Sequence, residues 1–118
     1  MTIEQLVNKW FEVWERGDFE NIPVSKNFSH TSPYGTINGK STYLNLIKDN
    51  KDQFLGHTFV IHDMISEDNK ACVHYSAIKE DFKLNVSEWH YSKNNLIEKI
   101  IAHYHIGNIR EDKQLNNL

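Results

Sequence analysis

Few residues in this chain suit proton chemistry, and they are set apart by type rather than by a compact motif. Seven histidines are spread over 118 residues, among three Trp, five Tyr and six Phe. Histidine both takes and gives a proton near neutral pH. The stretch 28–40, "FSHTSPYGTINGK", sets His30 two residues before Ser32, and residues at i and i+2 share one face of a strand. Paired with Asp63 across a pocket, His30 would supply the base-plus-orienter arrangement of many acid–base sites. The competing reading of His30 is a strand-end histidine satisfied by neighbouring backbone. A Ser-His-Asp triad is not supported, because no glycine-flanked elbow surrounds Ser32.

The elements that must hold these residues follow from periodicity. Residues 2–16 read as a helix, with Ile3, Leu6, Val7, Trp10, Phe11 and Trp14 on one apolar stripe. Thr2 and Gln5 form a capping box, and Gly17 ends the helix in the left-handed conformation. Asp18 opens a short turn, Phe19 to Ile22, closed by Pro23. Residues 26–32 read as a strand broken by Pro33 and Gly35. A second helix starts after Asn38 or Gly39 and runs to about Asn50. Four strands follow, at about 57–66, 70–79, 82–92 and 96–106, joined by short polar links that imply an antiparallel meander. Helices followed by a run of strands make an α+β fold, with a curved antiparallel sheet and helices laid on one face around a space. One domain, 1–107, and a polar tail, 108–118, account for the chain.

Composition narrows the function classes. The formal net charge is −3 and the basic residues are scattered, which argues against a nucleic-acid surface. The N-terminus has an early acid and no long apolar run, so neither a signal peptide nor a membrane span is expected. A single cysteine, Cys72, forms no internal disulfide and reads as a small buried hydrophobe in a reducing, cytoplasmic setting.

Strand register then assigns faces. A two-residue loop at Asn94-Asn95 pairs Lys93 with Leu96 and sets Trp89 opposite Ile100, Ser87 opposite Ala102, and Asn85 opposite Tyr104. A three-residue loop at Lys79-Glu80-Asp81 adds Val73, Tyr75 and Ala77 to that face, which is turned toward the helices. The opposite face receives Ile78, Leu84, Val86, Ile101 and His103, with Cys72, His74, Ser76, Glu88, His90, Lys99 and His105. An outer face that apolar is usually covered, and a second copy of the chain is the expected cover. His74, His90 and His103 fall on this face too, but His90 lies outside easy reach and no metal is expected. The first hairpin stays open: a two-residue turn at Asp68-Asn69 points Val60, His62 and Met64 inward, and a three-residue turn points Phe59, Ile61, Asp63 and Ile65 inward. The second choice buries more aliphatic surface.

Three segments, "W.ERGDFENI" at 14–22, "FSHTSPYGTINGKSTYLNLI" at 28–47 and "EWHYSKNNLIEKIIAHYHI" at 88–106, resemble the nuclear-transport-factor-2-like superfamily. Within it the chain looks most like the SnoaL-like polyketide cyclase and ketosteroid isomerase group. The resemblance implies a cone-shaped, cystatin-like α+β domain with a pocket at the open end of the sheet, and dimers through the outer sheet face. It also implies where isomerase groups would stand. Ser32 occupies the place of the proton-shuttling carboxylate, and Trp10 and Ser87 match the oxyanion-hole tyrosine and acid. None of the three can do the isomerase work, since serine is a poor general base and indole only donates.

The expected function is therefore binding of a small, largely apolar or amphipathic molecule, without a cofactor. The pocket would be formed by Trp10, Trp14, His30, Ser32, Tyr34, Tyr75, Ser87, Trp89, Ala102 and Tyr104. One alternative is an acid–base cyclase, isomerase or hydratase using His30 and Asp63. Another is a dimeric association domain whose pocket is vestigial.

Overall fold

The computed structural model describes residues 1–106, so the expected tail at 108–118 lies outside the described residues. Helix α1 (Ile3–Glu15) buries its whole apolar stripe. Its capping box is formed: Thr2 Oγ1 accepts from the Gln5 amide at 3.2 Å, and Gln5 Oε1 accepts from the Thr2 amide at 2.8 Å. Gly17 follows in the left-handed region at φ 77°. A 3-10 turn (Phe19–Asn21) leads to β1 (Val24–Ser32).

Pro33 and Tyr34 do not end the extended chain. They make a turn into a further short strand, β2 (Gly35–Asn38), which folds back on β1 with Ser32 opposite Gly35. After it come α2 (Lys40–Asp49), a single turn α3 (Lys51–Phe54), and the meander β3 (Thr58–Glu67), β4 (Lys70–Lys79), β5 (Phe82–Lys93) and β6 (Leu96–His103). The six strands form one curved sheet in the order β2-β1-β6-β5-β4-β3. It is mixed rather than wholly antiparallel, because β1 runs parallel to β6.

Both longer helices lie on one face: α1 over β3, β4 and β5, and α2 over β1 and β2. Between helices and sheet, Phe28, Leu6, Ile47, Ile97 and Ile100 are fully buried. Each such side chain contributes about 1.5–3 kcal/mol. Among the described residues no helix is long and apolar enough to cross a membrane.

Register decides what faces the core. The β5–β6 loop is Asn94-Asn95 as expected, with φ 53° and 64° and Lys93 opposite Leu96. Then the ladder shifts: Ser92 pairs with Ile97 but Tyr91 with Lys99, leaving Glu98 as an extra residue. The β4–β5 loop is two residues, Glu80-Asp81, with Lys79 opposite Phe82, not three. Each difference is one residue. Together they turn β5 over while β4 and β6 keep the expected faces. Val86 and Leu84 therefore face the helices, Val86 fully buried and Leu84 partly, and do not belong to the outer face. Ser87 and Trp89 move the other way, and Trp89 is 38% exposed on the outer face. Ile78, Ile101 and His103 lie on that outer face with them.

Candidate functional site

On the helix-covered face, strand pairing aligns His30 of β1, Ile100 of β6, His90 of β5 and Ala71 of β4 in one row. The next row runs Ala102, Glu88, Val73 and Met64. Glu88 and His90 are 3% and 0% exposed, in a layer otherwise apolar. A buried carboxylate persists only with donors on it, and this one has two. Tyr75 Oη donates to Oε2 at 2.9 Å, and His90 Nε2 donates to Oε1 at 2.8 Å.

Burial alone would raise the Glu88 carboxyl. The hydrogen bond and charge of the neighbouring imidazoles and the Tyr75 hydroxyl outweigh it and hold the carboxyl below its ordinary value. Burial, with the Glu88 charge alongside, pushes the Tyr75 phenol well above its ordinary value, so it only donates. Nδ1 of His90 is buried with no hydrogen-bond partner. Its Nε2 carries the proton that it donates to Glu88. Burial also lowers His30, against the attraction of Glu88 and with the repulsion of His90, so the His30 ring is neutral at pH 7.

Aromatic side chains enclose this network. Tyr43 lies stacked on His30 at 5.1 Å, Trp10 stands edge-on to His90 at 5.9 Å, and Phe11 meets Tyr75 at 4.6 Å. Trp14 packs against both Trp10 and Tyr43, and its Nε1 is buried without a partner. Two surface grooves lie elsewhere, one beside the β3–β4 turn and one beside the β5–β6 turn.

The structure brings Trp10, Trp14, His30, Tyr75 and Ala102 into this one layer, with Ser32 and Tyr104 next to them in the strand order. Tyr34 sits on the β1–β2 turn, 61% exposed, with its ring 6.4 Å from Tyr104. Ser87 and Trp89 are absent from the layer, as the flipped strand requires. Asp63 is absent too. The β3–β4 turn is the two-residue one, Asp68-Asn69, which faces Met64 and Ser66 inward. A bulge at His62 then resets the strand so that Phe59 and Ile61 stand opposite Ala77 and Tyr75. Both His62 and Asp63 end on the outer face. Asp63 has a side chain 79% exposed and pairs with His74 at 3.6 Å, and His62 Nε2 bonds Ser76 Oγ at 2.7 Å. His30 thus has Glu88, not Asp63, as its acidic neighbour. His74 and His103 lie outside and His90 inside, so these three do not converge. Among the described residues no group of three His, Cys, Asp or Glu side chains is arranged to hold a metal.

Glu88 and His90 were missed because the wide aromatic Trp89 was turned inward. Two signals in the sequence point the other way. Polar Lys83, Asn85 and Ser87 alternate with apolar Leu84 and Val86, and continuing that period carries Glu88 and His90 inward. Ile97 and Ile100 are three apart, so burying both requires an extra residue between them.

A family model described as a SnoaL-like domain matches residues 7–92. The chain belongs to the SnoaL-like domain family. Solved structures show the fold of this SnoaL-like chain in others. An NTF2-like protein of unknown function from Cytophaga hutchinsonii is 20% identical, with 89% of this chain and 91% of that one aligned at a TM-score of 0.77. A Kribbella flavida structure provisionally called a ketosteroid isomerase is 14% identical over 87% and 77% of the two chains, TM-score 0.75. One from Xanthomonas campestris, provisionally called a polyketide cyclase, is 14% identical over 87% and 90%, TM-score 0.70. No curated protein matches the chain. The resemblance read in the sequence and the matched family agree.

Proposed function

We propose that this SnoaL-like domain binds a small, largely apolar molecule between α1, α2 and the sheet, with the polar end of the molecule at Glu88 and His30. The observation that carries the reading is the Glu88 network. A hydrogen-bonded carboxylate at 3% exposure inside an aromatic shell costs stability to keep. A few placed polar groups in an apolar enclosure are the usual makeup of a ligand site. Trp10, Phe11 and Tyr43 lie over the network, so entry requires a side chain to swing. The test is heat stabilisation by a panel of apolar molecules bearing one polar group, for the native protein and for Glu88→Gln. Stabilisation of the native protein that weakens in the variant supports the reading; a flat response across the panel refutes it.

A second reading is favoured by His30 itself. A neutral imidazole beside an ionised carboxylate is a competent general base at pH 7. In an acid–base enzyme built on this site His30 moves the proton and Glu88 fixes the charge. Turnover that persists in His30→Ala removes it.

The outer sheet face is proposed as the seat of a second copy. Among the described residues no helix covers it, Trp89 and Ile65 are exposed there at 38% and 75%, and the family resemblance implies that mode. A monomer in sedimentation at about tens of micromolar would sink this part.

A further inference from the structure

We infer that the molecule bound at this site is an organic cation: an apolar, ring-sized body carrying a protonated amine that pairs with Glu88. This rests on the binding reading above and names the class of ligand for it. Among the described residues the layer facing the helices holds the Glu88 carboxylate and no Lys or Arg close enough to pair with it. Along β1, β6, β5 and β3 the inward residues include no Lys or Arg. On β4 the inward cation is Lys79, six residues beyond Val73, the partner of Glu88, or about 20 Å away at roughly 3.3 Å per residue. Its Nζ already donates to the Asp52 and Leu55 carbonyls, at 2.6 and 2.9 Å. Tyr75 and His90 satisfy one lone pair on each Glu88 oxygen and leave a second on each. Those two open acceptor sites fit the N–H donors of an ammonium group.

The surroundings favour a cation for an independent reason. The rings of Tyr75 and Tyr43 lie beside the carboxylate, and Trp10, 5.9 Å from His90 and 6.3 Å from Tyr43, completes the aromatic layer there. Aromatic faces attract ammonium groups, most strongly where water is excluded. Carboxylate and rings therefore select for the same charge. A ligand carboxylate would meet both Glu88 and the negative ring faces. A neutral alcohol would be accepted, but it brings a single donor and no charge.

Three isosteric probes separate these cases: 2-naphthylmethylamine, 2-naphthylmethanol and 2-naphthoate, titrated by calorimetry at pH 7. The expected order of affinity is amine, then alcohol, then carboxylate, with about a hundredfold or more between the first and last, equivalent to about 2.7 kcal/mol. The three tryptophans report where binding occurs. Trp10 packs against His90 and Trp89 lies on the outer face, so the amine should shift the Trp10 indole N–H resonance and leave that of Trp89. In Glu88→Gln the advantage of the amine over the alcohol should vanish. Equal affinity of alcohol and amine in the native protein overturns the inference while sparing the binding reading. So does an amine that shifts only Trp89, a measurement that needs no variant. If none of the three binds, the binding reading falls, and this inference with it.

Discussion

Removing one member of the Glu88 network should destabilise the protein more than removing all of it. Tyr75→Phe deletes the 2.9 Å hydrogen bond to Oε2 and leaves that oxygen buried and charged. A hydrogen bond to a charged group contributes about 1.5–3 kcal/mol, so a loss near 2 kcal/mol is expected. With a urea slope of about 2 kcal/mol/M, the midpoint falls by about 1 M at unchanged slope. Tyr75→Phe combined with Glu88→Met and His90→Leu removes both hydrogen bonds together with the charge that needed them. Replacing a buried ionic network with apolar groups of similar size is often neutral or stabilising by about 1–4 kcal/mol. The triple variant should therefore match or exceed the native midpoint while losing all binding of the amine probe. Urea unfolding followed by tryptophan fluorescence measures both variants. A triple variant less stable than Tyr75→Phe alone would refute the reasoning. It would mean that the network serves the fold, and the case for a ligand site would lose its main support.

Stability should also fall with acid in two stages. His30 is more easily protonated unfolded than folded, so its contribution is complete above 6.5 and is lost as pH drops below that; His30→Gln should flatten this stage in urea titrations across pH. Glu88, held below its ordinary 4.5, adds a second loss at lower pH, as its folded carboxyl protonates, that Glu88→Gln should remove. Trp89→Ser should shift sedimentation toward monomer without changing the affinity of the amine, since Trp89 lies on the opposite face from the network. Deleting Glu98 should cost about 3 kcal/mol or more, because Ile97 and Ile100 then cannot both face the core; a midpoint within error of native would show that the bulge is dispensable.

The fold was largely legible from the chain because its elements carry strong local signals. The stripe of α1, its capping box, Gly17 and the Asn94-Asn95 turn each satisfy a local rule that needs no tertiary knowledge. The strands of the meander were found within a residue or two at most ends. What escaped was β2 and the parallel pairing of β1 with β6, both long-range outcomes of how the first strand docks. Pro33 and Gly35 read equally well as the end of a strand or as the corner of a hairpin, and only the partner strand decides between them.

The candidate site was less legible for one physical reason. Side-chain direction in a strand has period two, so a single extra residue moves every following group across the sheet. Two loop lengths and one bulge govern which acids face inward here. The two-residue Asp68-Asn69 turn keeps Asp63 in solvent with His74, and the extra Glu98 together with the short Glu80-Asp81 loop brings Glu88 inside. The resemblance implied that Ser87 stands where an isomerase acid would, which suggested a site emptied of charge. The observed register places a carboxylate one residue later, on the inner face of that same strand. The layer therefore has an acid, but one already held ionised by Tyr75 and His90. A carboxylate in that state is a weak base and a strong electrostatic anchor. This is why the geometry favours recognition of a positive charge by Glu88 and leaves any proton transfer to His30, whose neutral ring still has a lone pair to offer.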